Sequence, residues 1–135
     1  MQQFKNMTKE EFKKLNSSGI HFWENGYNVV ITCKYIQTWE QFTEVLGNAF
    51  QLPMRNENYH GTADWMQDLT WLGKHEIIRL YFYEWNELAK LNEDVKKHIV
   101  MLLSSLTQWW KEDVKDSFMD GKPGEPKEFE VVLVN

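Results

Sequence analysis

Three runs of apolar, β-branched and aromatic residues indicate that this chain builds a β-sheet. They occupy positions 29–36, 77–83 and 129–134. The middle run is apolar at almost every position, which is typical of a strand buried on both faces of a parallel sheet. A shorter run at 20–23 is followed by the turn-forming residues Glu24-Asn25-Gly26. This pattern predicts an added edge strand joined by a hairpin to the run at 29–36.

Between these runs, apolar residues recur every three or four positions, which is the spacing of amphipathic helices. Capping-box spacing at positions 8–11 and 38–41 predicts two helix starts. The first of these helices is expected over 8–16, and the second is expected to end before Pro53. Further helices are predicted at 61–72, 84–89 and 92–118.

The order strand, helices, strand, helices, strand predicts right-handed crossovers. We therefore expect an α/β fold with a small three-stranded parallel sheet covered by helices, an N-terminal helix and an extra antiparallel edge strand. A length of 135 residues suits a single domain. Within it we expect residues 1–27 to be an N-terminal extension packed on a domain formed by residues 28–135.

Composition supports a folded protein of the cytoplasm. Apolar residues make up 42% of the chain and aromatic residues 15%, which excludes disordered and fibrous classes. The single cysteine, Cys33, lies in the first strand run, where a buried structural thiol is expected. The polar N-terminus has no apolar signal region, and no run of about 18 apolar residues occurs. We expect no signal peptide and no membrane span.

The charge is unevenly distributed. The chain has a net charge of −5, and residues 56–87 hold six acids against two bases, which gives −4. A nucleic-acid phosphate backbone would be repelled, whereas a basic protein would be attracted. An ordinary solvated acidic face would have the same composition, so both readings remain open.

The segment 53–72 is the best candidate for a functional surface, because a polar loop there precedes an acidic helix. At 100° per residue, one face of the predicted helix carries Trp65, Met66, Leu69 and Leu72. The opposite face carries His60, Ala63, Asp64, Gln67 and Trp71, with Asp68 at the border. An outward tryptophan implies cover, and another protein or a neighbouring loop could supply it for Trp71.

Catalysis and metal binding have weak support. Asp64 and Asp68 are one helical turn apart, as paired catalytic acids could be, and His60 extends them to metal-ligand spacing. A solvated acidic surface gives the same spacing, and no known catalytic or phosphate-binding motif occurs. We therefore expect no enzyme, no metal and no cofactor. Trp109 and Trp110 have charge-balanced neighbours and are expected in or beside the core.

The order and spacing of several residues resemble the barstar family of ribonuclease inhibitors. The resemblance covers roughly residues 28–135. It rests on Leu52-Pro53, Asn58, Asp64, Met66, Asp68-Leu69, Trp71-Leu72, Glu84-Trp85 and the closing run at 129–134.

The resemblance implies a small α/β inhibitor whose acidic loop and helix plug the active site of a ribonuclease. In such complexes an inhibitor carboxylate takes the place of an RNA phosphate, and Asp64 is the first choice for this role. Electrostatic steering, and a large loss of affinity on removing one aspartate, are known properties of the family. The implied partner is a basic ribonuclease or toxin domain, and the free inhibitor would be a monomer. The expected partner-binding residues are Asp64, Trp71, Asp68, Glu57, Asn58, His60, Gln67 and Gln108.

Four positions depart from the family pattern. His60 stands in place of its first aspartate, Gly61 of an alanine, Ala63 of an aromatic residue and Gln108 of an acid on the last helix. These departures predict a partner different from the standard one. They also leave open a second hypothesis, a barstar-fold interaction or regulatory module whose partner is not a nuclease.

Overall fold

The computed structural model describes residues 4–17, 26–55, 58–73, 75–90, 93–119 and 121–135. Across these residues, four parallel strands form the main sheet in the order β1, β6, β3, β2. The main-sheet strands are β1 (Lys5–Met7), β2 (Tyr27–Thr32), β3 (Ile77–Tyr83) and β6 (Glu128–Val134). The register places Leu80 of β3 beside Val29 of β2 and Val131 of β6. The three predicted strands and their parallel arrangement are thus confirmed.

The helices lie in the crossovers, where the periodic pattern predicts them. They are α1 (Lys9–Ser17), α2 (Trp39–Phe50), α3 (Tyr59–Met66) and α4 (Glu93–Lys111). Both capping boxes provide the first bonds of their helices. The Thr8 hydroxyl accepts from the Glu11 amide at 3.0 Å, and the Thr38 hydroxyl accepts from the Gln41 amide at 3.1 Å. Short 3₁₀ turns follow at Cys33–Tyr35, Thr70–Leu72, Trp85–Lys90 and Asp113–Asp116.

The sheet separates two apolar clusters. The larger cluster packs one sheet face against α2, α3 and α4, and its fully buried side chains include Ile31, Phe42 and Leu80. On the opposite face α1 covers Tyr81, Val132 and Val134 through Phe12. The Phe12 ring lies 5.6 Å from the Tyr81 ring. The middle strands are therefore buried on both faces, as their near-continuous apolar sequence predicts.

Several boundaries differ from the sequence-based expectation. The first predicted strand ends at Thr32, because Cys33–Tyr35 turns into a 3₁₀ helix. The long helix ends at Lys111, because Glu112 leaves helical geometry at φ −129° and the following turn buries Val114. After the last helical turn, β4 (Phe118–Met119) pairs antiparallel with β5 (Lys122–Pro123).

The edge of the sheet holds a strand that the sequence pattern did not predict. β1 is parallel to β6 and pairs Asn6 with Leu133. Its three residues are too few to show a two-residue alternation. The expected antiparallel edge strand at 20–23 lies outside the described residues, as does most of its hairpin turn. The division into an extension over 1–27 and a domain over 28–135 stays a prediction.

The Cys33 side chain is fully buried, as expected for a structural thiol. Burial, together with the nearby Glu84 carboxylate, raises the pKa of Cys33 to about 12. The thiolate is therefore absent at neutral pH. In the part of the chain that the structure describes, no helix is both long and apolar enough to cross a bilayer.

Candidate functional site

Helix α3 begins at a side-chain cap. Asn58 adopts an extended conformation, and its side-chain oxygen accepts from the Gly61 amide at 2.9 Å. This bond satisfies one of the amides that a helix start leaves without a partner. Asn58, which is expected to contact a partner, is exposed. Its side-chain cap also defines where the helix starts. Glu57, the other expected loop residue, lies outside the described residues.

The first turn of α3 is anchored to two other helices through Tyr59. Its ring stacks on Trp39 of α2 with centroids 6.2 Å apart, and its hydroxyl lies 3.3 Å from the Ser105 hydroxyl of α4. Tyr59 is half-buried. These contacts hold the loop end of the helix against the body of the protein.

The last turn of α3 is anchored by two indoles of α4. The Trp110 N–H donates to the Met66 carbonyl at 3.1 Å, and the Trp109 N–H donates to the Gln67 carbonyl at 3.2 Å. Carbonyls at a helix end have no partner within the helix, so these donors replace the missing bonds. The expectation that both tryptophans lie in or beside the core is confirmed, since Trp110 is buried and Trp109 half-buried.

His60 and Asp64 share the exposed side of α3. They are four residues apart, so they lie on one face, and both side chains are exposed. Among the described residues, no hydrogen bond or ion pair involves the Asp64 carboxylate, which is therefore accessible to a partner. The outward prediction for these two residues is confirmed.

The predicted outer face was wrong at Ala63. Ala63, predicted to face outward, is only 7% exposed, and Thr62 beside it is buried. Trp65, predicted inward, packs against the core, is half-buried and meets Trp71 edge to face at 5.8 Å. The helix is eight residues long, and its buried side chains are Thr62, Ala63 and Met66. The helical wheel drawn for twelve residues therefore misplaced its buried face. Of the departures from the family pattern at His60 and Ala63, only His60 alters exposed surface.

The predicted helix at 61–72 is interrupted after Met66. Leu69 adopts a left-handed conformation with φ 56° while remaining buried, and a 3₁₀ turn follows over Thr70–Leu72. A branched residue in this region costs about 1–2 kcal/mol. The break re-aims Trp71, whose indole N–H donates to the Phe50 carbonyl at 2.9 Å. Trp71 is half-buried and covered in part by its own chain, and a contact with a partner stays a prediction.

The remaining expected residues are spread over neighbouring elements. Gln67 is half-buried and offers its carbonyl to Trp109. The Asp68 carboxylate accepts from the Thr70 amide at 3.3 Å, so it caps the turn that follows α3. Gln108 is exposed on α4, and its side-chain amide lies 3.5 Å from the Asp113 carboxylate.

Asp68 also borders a cleft of about 410 Å³ between the turn after α3 and the segment 122–127. Lys127 lies on its wall, donates to the His75 carbonyl at 2.6 Å and sits 5.7 Å above the Trp110 ring. Burial lowers the pKa of Lys127. Asp64 does not line this cleft. Among the described residues, no three His, Cys, Asp or Glu side chains are grouped to hold a metal ion.

The helices α2 and α3 and their flanking residues carry charge of one sign. Segments 38–52 and 58–73 contain no lysine or arginine. Their acids are Glu40, Glu44, Asp64 and Asp68. Arg55, between the segments, is half-buried, and its side chain lies across Gly47 and donates to the Leu52 carbonyl. Helices α2 and α3 therefore carry carboxylates and no basic side chain, whereas Lys122 and Lys127 line the cleft beside Asp68.

Comparison with known families matches residues 27–122 to the family described as Barstar (barnase inhibitor). The chain belongs to the barstar family. The matched segment contains the strands β2 and β3 and the helices α2, α3 and α4. No curated protein and no solved structure gives a significant match. The family's description is that of a ribonuclease inhibitor, which indicates an inhibitor-like function and a protein as the general kind of partner.

Sequence reasoning missed the residues that hold α3 in place. Tyr59 and Trp39 follow helix caps, and an aromatic residue directly after each cap was a usable signal. His98 touches both rings from α4, at 6.2 Å and 6.4 Å, and nothing in its sequence neighbourhood indicates this. Such contacts depend on how helices pack, which a single sequence pattern does not encode.

Proposed function

We propose that this barstar-family protein binds a basic ribonuclease or ribonuclease-domain toxin and inhibits it by covering the active site. The contact surface would consist of the exposed side of α3, the preceding loop and neighbouring residues of α4. The protein would act in the cytoplasm as an immunity-type inhibitor, as a monomer when free and without turnover of its own.

The observation that carries this proposal is the Asp64 carboxylate. It is exposed on a helix whose two ends are fixed by Tyr59, Trp109 and Trp110. A charge held on a rigid element loses little freedom when it binds, so more of its attraction remains as affinity. Ribonuclease active sites bind phosphate with lysine, arginine and histidine, which a carboxylate can engage in the same way.

Affinity capture from the cell in which the protein occurs tests the proposal. The purified protein serves as bait, and the retained fraction is assayed for RNA cleavage before and after more of the protein is added. We expect a retained ribonuclease whose activity falls on addition of the inhibitor.

A second candidate is a barstar-fold interaction module with a partner other than a nuclease. His60 favours it, because an imidazole occupies an exposed position where the family places a carboxylate. Recovery of a specific partner that does not cleave RNA would support this candidate and contradict the first.

A further inference from the structure

A row of stacked rings runs from the sheet to the surface beside α3. Phe82 of β3 lies 6.5 Å from Phe42, Phe42 lies 5.4 Å from Trp39, and Trp39 lies 6.2 Å from Tyr59. Successive planes differ by 7°, 16° and 25°, so the rings are nearly parallel. The two outer rings are half-exposed while the inner two are buried. The outer rings are therefore held rigidly by the core.

An imidazole from α4 completes the outer end of this row. The exposed His98 side chain lies 6.4 Å from the Trp39 ring and 6.2 Å from the Tyr59 ring. We call Trp39, Tyr59 and His98 the ring patch. Three different helices contribute to it, so no one sequence segment reveals it.

The ring patch is continuous with the proposed contact surface. Tyr59 directly precedes His60, which lies one turn before Asp64 on α3. On α4, Met101 and Ser105 follow His98 at helical spacing, and Ser105 contacts the Tyr59 hydroxyl. Met101 is 46% exposed, which is a large exposure for an apolar side chain. The Tyr59 and His60 rings lie 5.5 Å apart, so the ring patch adjoins the exposed side of α3.

The chemistry of the ring patch suits a cation. Aromatic rings attract guanidinium and ammonium groups, and arginine also stacks on planar side chains. Glu40 directly follows Trp39, and α2 and α3 contain no lysine or arginine. On α4, Lys96 and Lys97 precede His98, and Asp94 lies one turn before it. Rigid tyrosine and tryptophan side chains are the residues that most often dominate binding energy at interfaces.

We propose that the ring patch is a second contact area for the same ribonuclease and receives an arginine or lysine side chain from the rim of its active site. The inference rests on the proposed function. It extends the contact from α3 onto the start of α2 and the middle of α4.

Substitutions of His98 test the inference, because this exposed position tolerates change without unfolding the protein. The affinity of the captured ribonuclease is measured for wild type, His98→Lys, His98→Gln and Asp64→Ala. Tyr35→Ala serves as the control, since Tyr35 is 68% exposed on a different turn and its ring is approached by Lys34. Circular dichroism confirms that each variant is folded.

We expect His98→Lys to weaken binding by about tenfold or more, because a fixed positive charge beside the rings repels the partner's cation. His98→Gln removes one ring without adding charge and should weaken binding less than His98→Lys does, whereas Tyr35→Ala should stay within about threefold of wild type. A His98→Lys affinity equal to that of wild type, alongside a loss for Asp64→Ala, would overturn the ring patch and leave the proposed function standing. Failure of the wild-type protein to retain any ribonuclease would overturn both.

Discussion

At the scale of single residues, two indole groups decide where the candidate binding helix ends. Trp110 donates to the Met66 carbonyl from within the core, and Trp109 donates to the Gln67 carbonyl from its border. The Met66 and Gln67 carbonyls have no helical amide to accept from, because α3 ends at Met66. The two tryptophans therefore have a structural role in holding the end of α3.

Replacing Trp110 by Phe should lower the free energy of unfolding by about 1–3 kcal/mol, since the buried Met66 carbonyl loses its donor. Urea denaturation followed by circular dichroism measures the change. Trp109→Phe is the matched comparison and should cost less, because its acceptor lies at a half-buried position where water can substitute. Equal stability of Trp110→Phe and wild type would show that the bond is unimportant.

Cys33 gives a residue-scale prediction for pH. Its pKa is raised to about 12, whereas a cysteine in the unfolded chain has its ordinary pKa of 9.0. The unfolded state therefore loses its proton first, and the contribution of Cys33 to stability is full below pH 9 and declines as pH rises toward 12. A thiol-specific reagent at pH 8 should label the protein only after denaturant is added. Rapid labelling of the native protein would contradict this account.

At the scale of elements, the sequence predicts most helices and strands because the apolar spacing of each is regular over many residues. Ile77–Tyr83 is confirmed residue for residue, and the capping boxes place the starts of α1 and α2 correctly. The pattern fails at 61–72. Leu69 is buried in a left-handed conformation after the helix has ended, so the sequence keeps the apolar spacing of a longer helix.

The candidate site was predictable only in part. Asp64 and His60 follow from helical position, since each lies on the polar side of the segment. Trp71 could not be placed, because its orientation depends on the Leu69 break and on the Phe50 carbonyl of another helix. The ring patch combines three elements that are distant in sequence, and no period within one element marks it.

Helix α1 yields an element-scale prediction. Phe12 is its buried contact with the second sheet face and lies 5.6 Å from Tyr81 and 5.5 Å from Tyr83. Phe12→Ala should destabilise the protein by about 3–5 kcal/mol through lost burial and a cavity. Lys13→Ala on the exposed side should change stability by less than about 0.5 kcal/mol. If thermal denaturation shows the same small change for both, α1 does not stabilise the sheet.

At the scale of the whole molecule, the negative charge is concentrated in one part of the sequence. The total charge of −5 includes −4 from residues 56–87, and α3 lies within that segment. Within it, Glu84 pairs with Lys9 of α1 and Glu87 pairs with Lys90, whereas Asp64 is exposed on α3. A net negative field attracts a basic partner before contact and acts mainly on the rate of association.

Raising sodium chloride from about 50 mM to about 500 mM should therefore slow association with the ribonuclease by roughly tenfold or more, because salt screens exposed charges. The dissociation rate should change much less. Stopped-flow or surface-binding kinetics separate the two rates. An association rate independent of salt would show that the acidic surface does not guide the partner.

Inhibition by Asp64→Ala tests the central claim most directly. The inhibition constant against the captured ribonuclease is compared for wild type, Asp64→Ala and Glu10→Ala, an exposed acid of α1 on the opposite side of the sheet. We expect Asp64→Ala to lose about 2–5 kcal/mol of binding free energy with an unchanged melting temperature, because the proposal places its carboxylate against the partner and it makes no hydrogen bond or ion pair with the described residues. Glu10→Ala should inhibit like wild type. An inhibition constant for Asp64→Ala equal to that of wild type would contradict the account.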